Sequence, residues 1–174
     1  SKLYQNSSPT LKEKIKIHVK VDTGMSRQGF LFTDINLLIA ELSKLEKNIV
    51  VEGLFTHFAA AKNPSFPQGT RKQIEIFSKF IDAIKRAGHK PLIHAAAASG
   101  TILYQDSHFD LVRVGAAQYG IWPAKEVEVF ASSRLHLKPI LTWKTVIAET
   151  KKLPRGTKVG YDFTEELKRD SVLA

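Results

Sequence analysis

The sequence predicts an α/β fold in which a parallel sheet is followed by a β-rich segment. Four apolar stretches with the composition of strands lie between residues 15 and 119, and two amphipathic helical patterns separate the first three of them. Alternation of strands and helices along a chain is typical of a parallel sheet with right-handed crossovers. After Trp122 the chain becomes rich in Thr, Val and Ile around glycine-containing turns, which favours antiparallel strands.

The first strand is predicted at residues 15–22, where apolar and polar residues alternate with a period of two. A turn containing Gly24 and Gly29 follows it. Apolar residues then recur at the spacing of one helical face, and Thr33 or Asp34 can cap this first helix.

The second strand is predicted at residues 49–58, a largely apolar stretch that we expect to be buried on both faces. Thr70 and Gln73 have the spacing of a capping box, which predicts a helix with Thr70 as its N-cap and an end at Gly88. One face of this helix is apolar and carries Ile74, Phe77, Ile81 and Ile84.

Residues 91–97 and 110–119 predict the third and fourth strands, joined by a short connector. In the β-rich segment, residues 139–149 have the composition of a strand. Residues 153–163 are typical of a turn that joins antiparallel strands.

The change of composition predicts a domain boundary after the fourth strand. We expect a sheet domain at residues 1–124, a linker at 125–137 and a β domain that begins at 138–174. A complete eight-fold βα barrel needs about 250 residues, whereas the chain has 174 residues and four βα units, so we expect an incomplete barrel.

Composition excludes several classes of protein. The chain has no cysteine, so disulfides, thiolate metal sites and cysteine nucleophiles are excluded, and we expect no metal. No apolar run approaches the roughly 20 residues that span a bilayer, and no apolar signal segment opens the chain. We therefore expect a cytoplasmic protein without a membrane partner.

The net charge of +9 comes from 26 Lys and Arg against 17 Asp and Glu, and the basic residues are scattered along the chain. No motif of a nucleic-acid-binding fold accompanies them, so we expect a solvated surface and no nucleic-acid partner. A non-catalytic basic binding module is nevertheless the alternative from a different functional class.

Polar side chains occur where the predicted strands end, which is where parallel α/β proteins bind ligands. Lys20, Asp22 and Arg27 lie at the end of the first strand and in its loop, His57 ends the second strand, His94 lies in the third and Arg113 in the fourth. Four consecutive strands thus each offer a cationic or imidazole group. Such a set indicates an anionic ligand, for instance a phosphate or a carboxylate. Gly115 and the small residues 95–100 would let backbone N–H groups approach a phosphate.

Several segments, in order along the chain, closely resemble the alanine racemase family. Their combination is specific, although none is so alone, and the resemblance extends over residues 15–174. The segments are HVKVDTGMSRQG (18–29), EGLFTHFAAA (52–61), HAAAASG (94–100), FDLVRVGAAQYG (109–120), ILTWKTVI and VGYDFT.

The resemblance implies a pyridoxal-phosphate enzyme with an N-terminal (β/α)8 TIM-type barrel and a C-terminal β domain. This chain would then be the C-terminal half of the barrel followed by the start of the β domain. The implied reaction interconverts L- and D-alanine by two-base proton transfer and supplies D-alanine for peptidoglycan. The family's homodimer brings the catalytic tyrosine from the partner subunit.

The resemblance also assigns the cofactor contacts. His57 corresponds to the histidine that stacks on the pyridine ring, and Arg113 to the arginine that faces the pyridine nitrogen. Gly115 and Ala116 correspond to backbone contacts of the phosphate. Where the family has Asn-Ser, this chain has Ala97 and Ala98, so Ser99, one position later, or the backbone amides would bind the phosphate.

The remaining roles concern the substrate and the catalytic pair. Arg27 corresponds to the arginine near the substrate carboxylate, Lys20 to a lysine that is often carbamylated, and His94 to a histidine that orients the catalytic tyrosine. Tyr161 corresponds to a non-catalytic tyrosine. The Schiff-base lysine and the catalytic tyrosine belong to segments that nothing in this chain resembles, so we expect the isolated chain to be inactive.

Two alternatives remain closer to this family. A racemase of broader amino-acid specificity would keep every motif. A non-catalytic pyridoxal-phosphate carrier with a related barrel would lack the β domain, and the segment 139–163 argues against it.

Overall fold

The structure, a computed structural model, describes residues 14–174. Its first part alternates strands and helices: β1 (Ile15–Lys20), α1 (Ile35–Ser43), β2 (Ile49–Phe55), α2 (Gln68–Arg86), β3 (Leu92–Ala97), α3 (Ala98–Leu103), β4 (Leu111–Arg113) and α4 (Lys125–Ala131). Short 3-10 turns lie at Phe32–Asp34, Gln105–Ser107 and Ala116–Tyr119. Within the described range, none of the helices has the length and apolar character needed to cross a membrane.

The first four strands form one sheet in the order β1-β2-β3-β4, and every neighbouring pair is parallel. This confirms the predicted α/β fold with a parallel sheet. Because all four strands run in one direction, their carboxyl ends lie along the same edge of the sheet. The loops that follow β1, β2, β3 and β4 therefore gather at that edge, where the sequence predicts a ligand.

The hydrophobic core joins the sheet to α1 and α2. Phe77 and Phe80 of α2 are fully buried, and Leu38 of α1 and Leu54 of β2 are each 1% exposed. Burying one such side chain contributes about 1.5–3 kcal/mol relative to leaving it in water. The apolar face predicted for the second helix is present, and Phe80 belongs to it as well.

The predicted capping box at Thr70 is wrong. The helix α2 begins two residues earlier, at Gln68, and no side chain caps its N-terminus. Pro67 precedes it with φ −73°, a backbone angle that suits the start of a helix. Thr70 is instead buried within the first turn, and the side chain of Gln73 contacts the loop after β2.

The fourth strand is shorter than predicted, because β4 ends at Arg113 and residues 114–119 leave the sheet. They form a loop and a 3-10 turn that ends at Gly120, where φ is +76°. A left-handed residue at that position favours glycine. The carboxyl end of β4 is thus Arg113, and Gly115 lies in the loop beyond it.

The second compact unit of the chain is Leu141–Ala174. Its strands form two short antiparallel pairs: β5 (Lys151–Leu153) with β8 (Ser171–Leu173), and β6 (Lys158–Val159) with β7 (Glu165–Glu166).

Two expectations for this unit are wrong. Residues 139–149 form no strand, and β5 and β6 each pair with a later strand rather than with each other across residues 153–163. Strand composition alone does not create a strand without a neighbouring strand that accepts its hydrogen bonds. The predicted linker contains α4, and the domain boundaries remain a prediction.

Candidate cofactor site

Arg113, at the carboxyl end of β4, is held by four acceptors. Its Nη1 donates to His94 Nδ1 at 2.7 Å, and its Nη2 lies 3.0 Å from the carbonyl oxygens of Thr56 and Ala95 and 3.3 Å from His57 Nδ1. Arginine has five N–H donors in a planar fork. One Nη1 hydrogen serves His94, and the two Nη2 hydrogens serve three acceptors, so one of them is shared between two acceptors. The second Nη1 hydrogen and the Nε hydrogen have no acceptor among residues 14–174.

His94, in β3, is 5% exposed and contacts one aromatic ring and one cation. Its ring stacks on Phe55 with a centroid distance of 5.0 Å and an interplanar angle of 2°, and Arg113 lies 5.5 Å from the centroid of the same Phe55 ring. Burial, followed by the charges of Arg113 and His18, lowers the pKa of His94 to about 4. His94 is therefore neutral at pH 7 and can accept the hydrogen bond from Arg113.

His57 follows β2 and borders a cavity of about 240 Å³, which we call the His57 cavity. Its walls are formed by Met25, His57, Phe58, Ala59, Ala61, Lys62, Ala97, Ser99 and Gly100. A larger cavity of about 750 Å³ shares no lining residue with it and is formed by residues that follow β3 together with Arg71 and Arg134. Of the residues that the sequence predicts to bind the cofactor, His57 and Ser99 line the smaller cavity.

The electrostatic environment of the His57 cavity is positive. Burial lowers the pKa of His57, and the charges of Arg113, Arg27 and Lys20 lower it further. The imidazole is consequently neutral at pH 7, while three cations lie within electrostatic range of it. This arrangement favours an anionic ligand with a flat ring.

Asp22 organises the loop that carries Arg27. Its Oδ1 accepts hydrogen bonds from the backbone N–H groups of Gly24, Met25 and Ser26 at 2.8–3.1 Å, and its Oδ2 accepts one from Arg27 at 3.0 Å. Burial acts to raise the pKa of Asp22, but these four bonds outweigh it, so that the pKa lies below its usual value. The carboxylate thereby fixes the loop backbone up to Arg27.

The two cations of this loop stay apart from each other. Lys20 Nζ donates to the side-chain oxygen of Gln28 at 3.4 Å, and the side chain of Arg27 is exposed. No hydrogen bond joins Lys20 to Arg27 among the described residues. The role of Lys20 thus remains a prediction.

The predicted phosphate contacts lie on two neighbouring loops. Ala98 begins α3, directly at the end of β3, and Ser99 lines the His57 cavity. Gly115 and Ala116 follow β4, and a Cβ built on Gly115 would meet no atom within 4 Å. The backbone at Gly115 therefore faces open space, as a close approach by a phosphate requires.

Several residues of the site were missed from the sequence. Gln73 of α2 donates to Thr23 Oγ1 and to the carbonyl oxygen of His57, and it accepts from the Ala59 N–H, so it ties α2 to the loops after β1 and β2. Asp22 was noted at this strand end, but its role as acceptor of four backbone N–H groups was not foreseen. Its position four to five residues before Ser26 and Arg27, in a glycine-containing turn, is the signal that could have revealed this role.

The fold and the site together define a parallel α/β protein with a positively charged sheet edge, where a neutral imidazole and a half-buried guanidinium share a hydrogen bond. The family model described as "Alanine racemase, N-terminal domain" matches residues 2–123. The chain belongs to the alanine racemase family.

Individual relatives support the same assignment. The alanine racemase of Methanococcus maripaludis is 37% identical over 97% of this chain and 46% of its own length. A solved alanine racemase of Clostridium difficile 630 is 32% identical with a TM-score of 0.70, and it is matched over 93% of this chain and 42% of its own. The chain thus spans less than half the length of these relatives.

One further solved structure is an alanine racemase from Bartonella henselae with covalently bound pyridoxal phosphate. It is 24% identical with a TM-score of 0.60, over 90% of this chain and 40% of its own. At this level of identity the likeness concerns the fold.

Proposed function

We propose that this chain is the segment of a pyridoxal-phosphate-dependent alanine racemase that binds the ring and the phosphate of the cofactor, within the second half of a TIM-type barrel. The observation that carries this proposal is the hydrogen-bonded pair of Arg113 and His57 at the edge of the His57 cavity. Both residues lie at the carboxyl ends of parallel strands, where barrel enzymes place their sites.

The residues present fit the cofactor. His57 offers a neutral, flat face to the pyridine ring, and Ser99 and Ala98 lie on the next loop for the phosphate. Gly115 and Ala116 follow β4, and the space beside Gly115 is open, so a phosphate could approach their backbone N–H groups. When bound, pyridoxal phosphate supplies an electron sink for the negative charge that develops at the α-carbon of an amino acid.

Arg113 sets the electronic character of that sink. A guanidinium stays protonated at every physiological pH, so Arg113 would donate to the pyridine nitrogen and would not let that nitrogen take a proton. The two N–H hydrogens of Arg113 that lack an acceptor supply the necessary donor. An unprotonated nitrogen withdraws less charge, which favours simple return of the α-proton over side reactions.

The substrate side is carried by the loop after β1. Arg27 binds the carboxylate of alanine, and Asp22 holds the backbone of Arg27 in place. Lys20, as a carbamate, would pair with Arg27 by a charge-assisted hydrogen bond. Racemisation requires a base on each face of the α-carbon, and the resemblance places both, a lysine and a tyrosine, outside the motifs of this chain. The complete enzyme would be a cytoplasmic homodimer that supplies D-alanine for peptidoglycan.

Cofactor binding tests this proposal directly. Titrating the chain with pyridoxal phosphate should give a saturable circular-dichroism signal in the cofactor's absorption band. Arg113→Ala and His57→Ala should each weaken binding at least tenfold. Arg134→Ala removes an equal charge at a guanidinium that lies 5.0 Å from the Phe130 ring, away from the His57 cavity, and should leave binding unchanged. No saturable signal, or equal affinity in all variants, would contradict the proposal.

Racemisation of alanine by the chain with added cofactor should be undetectable, since both bases are missing. Sustained loss of optical rotation would contradict this. A panel of L-amino acids tested on the full-length protein separates an alanine racemase from the broad-specificity alternative. Retention on nucleic acid that is salt-sensitive and unaffected by Arg113→Ala would support the basic binding module instead.

A further inference from the structure

A continuous chain of polar side chains runs from Arg113 away from the His57 cavity. His94 Nε2 lies 2.8 Å from His18 Nδ1, and His18 Nε2 lies 3.4 Å from Glu52 Oε2. Glu52 Oε1 in turn accepts from Lys16 Nζ at 2.6 Å. This series of hydrogen bonds therefore connects the half-buried guanidinium of Arg113 to an ion pair whose lysine side chain is 64% exposed.

The direction of each hydrogen bond follows from the two ends. Arg113 can only donate, so His94 Nδ1 accepts and the proton of His94 must lie on Nε2. That proton is donated to His18 Nδ1, which places the proton of His18 on Nε2. An ionised Glu52 can only accept, so it accepts from His18 Nε2. With both histidines neutral, each contact has one donor and one acceptor only if the donors point from Arg113 toward Glu52.

The sheet provides a specific place for His18. The pairing of β1 with β2 shifts between Ile17 and His18, so that His18 lies opposite Gly53. A Cβ built on Gly53 would lie 2.1 Å from His18 Nδ1 and 2.6 Å from its Cγ. The imidazole therefore lies directly against the Gly53 backbone, a position that any other residue at 53 would obstruct.

The ion pair at the far end keeps Glu52 in the accepting form. A hydrogen bond from Lys16 is the main cause that lowers the pKa of Glu52, and Lys16 occupies only one of its two oxygens. The second oxygen is left for His18. An ion pair this exposed contributes little to stability. Its effect is instead to keep Glu52 ionised, so that Glu52 accepts the hydrogen bond from His18.

We propose that Glu52 and His18 are positioning residues that act through His94: together with Arg113 they hold it in one tautomer and one ring orientation, and thereby fix the orientation in which Arg113 is presented. The direction of the hydrogen-bond chain depends on this structure alone. Its consequence for the cofactor rests on the proposed function.

The experiment is ¹⁵N NMR of the imidazole groups in the histidine-labelled chain at pH 7, since protonated and unprotonated ring nitrogens have well-separated shifts. In the unmodified chain, Nδ1 of both His18 and His94 should be unprotonated and Nε2 protonated. If Nδ1 of His94 carries the proton, the proposal is overturned without any variant.

Variants then test the role of Glu52. Glu52→Leu removes the acceptor, so the Nδ1 signal of His18 should move toward its protonated value and the His94 signals should shift with it. Glu52→Gln retains an oxygen that can accept, and should restore the original shifts. Glu41→Leu is the matched control, because it breaks a comparable surface pair with Lys44 at 2.8 Å without touching the chain. Unchanged His18 signals in Glu52→Leu would refute the positioning role.

Titration of the same variants with pyridoxal phosphate separates the two proposals. We expect Glu52→Leu to bind about threefold to tenfold more weakly and Glu52→Gln to bind as the unmodified chain does. Absence of binding in the unmodified chain would contradict the proposed function, while the NMR result would still decide the hydrogen-bond direction. Equal binding in Glu52→Leu, despite altered histidine signals, would overturn the link from Glu52 to Arg113.

Discussion

At the residue scale, the site depends on polar side chains that each form several hydrogen bonds. Arg113 donates to two imidazoles and two backbone carbonyls, and Asp22 accepts from four backbone N–H groups. A charge that is withdrawn from water is tolerated only when its partners replace the water it has lost. These two residues therefore stabilise the loops at the sheet edge.

Asp22→Ala removes the acceptor of four N–H groups in the loop that leads to Arg27. We expect the free energy of unfolding to fall by about 1.5–3 kcal/mol, the typical contribution of hydrogen bonds to a charged group, because water can rehydrate part of this exposed loop. Urea unfolding followed by circular dichroism measures it.

Asp106→Ala is the control for this change, since Asp106 is exposed and forms no hydrogen bond within the described part of the chain. It should alter stability by less than about 0.5 kcal/mol. Equal effects of the two substitutions would show that the Asp22 bonds do not stabilise the fold.

At the element scale, the irregular pairing of β1 with β2 decides which side chains meet. Regular pairing after Ile17 would place His18 opposite Glu52, whereas the observed shift places it opposite Gly53 and within reach of His94. Residues of one strand alternate between the two faces of the sheet, so a slip of one residue changes every contact. The period-two pattern predicted β1, but it contained no sign of this shift.

Gly53→Ala tests whether the imidazole of His18 needs the space beside Gly53 in β2. The added Cβ would overlap the imidazole of His18, which must move away from His94. Overpacking of this kind costs about 1–3 kcal/mol, so the free energy of unfolding should fall by that amount and the ring ¹⁵N shifts of His18 and His94 should change.

Gly69→Ala provides the comparison within the same chain. A Cβ at Gly69, in α2, would meet no atom within 4 Å, and alanine is favoured over glycine in a helix. Stability should stay the same or rise by up to about 1 kcal/mol. The idea that His18 needs the space at Gly53 fails if both substitutions leave stability and histidine signals unaltered.

At the scale of the whole molecule, three positive charges act on one histidine at the carboxyl edge of the parallel sheet. The net charge of +9 is scattered in the sequence, yet Lys20, Arg27 and Arg113 all act on His57. Burial is the main cause that lowers the pKa of His57, and these three charges lower it further; for His94 the causes are burial followed by the charges of Arg113 and His18. The stability of the first unit should therefore depend on pH in a characteristic range.

The pH prediction rests on His94, whose pKa in the folded protein is about 4 against an ordinary value of 6.5. Between these values the unfolded chain binds a proton that the folded chain does not, so stability falls as the pH is lowered. The slope is about 1.4 kcal/mol per pH unit, with a total loss of up to about 3 kcal/mol near pH 4. The lowered pKa of Asp22 acts in the same direction but only at lower pH, below the ordinary range of a carboxyl group.

Urea unfolding at pH 7 and pH 5, together with the ¹⁵N titration of His94, measures this effect. His94 should remain neutral at pH 5. Titration of its ring near pH 6.5, with no loss of stability between pH 7 and pH 5, would show that His94 is not held neutral by its surroundings.

The order of elements and the ligand edge could be predicted from the sequence because they depend on local patterns. Period-two alternation, helical spacing and the occurrence of cationic or imidazole residues toward the ends of the strands are all properties of neighbouring residues. The α/β fold and the parallel sheet were predicted on these grounds and are confirmed. Membership of the alanine racemase family was predicted from the resemblance of several motifs and is confirmed.

Only the tertiary structure decided the contacts between distant residues. The start of α2 at Gln68, the end of β4 at Arg113 and the missing strand at 139–149 depend on which partners are available in space. The chain from Arg113 through His94 and His18 joins three strands, and no local pattern records it, because hydrogen bonds across a sheet depend on the pairing register rather than on sequence spacing.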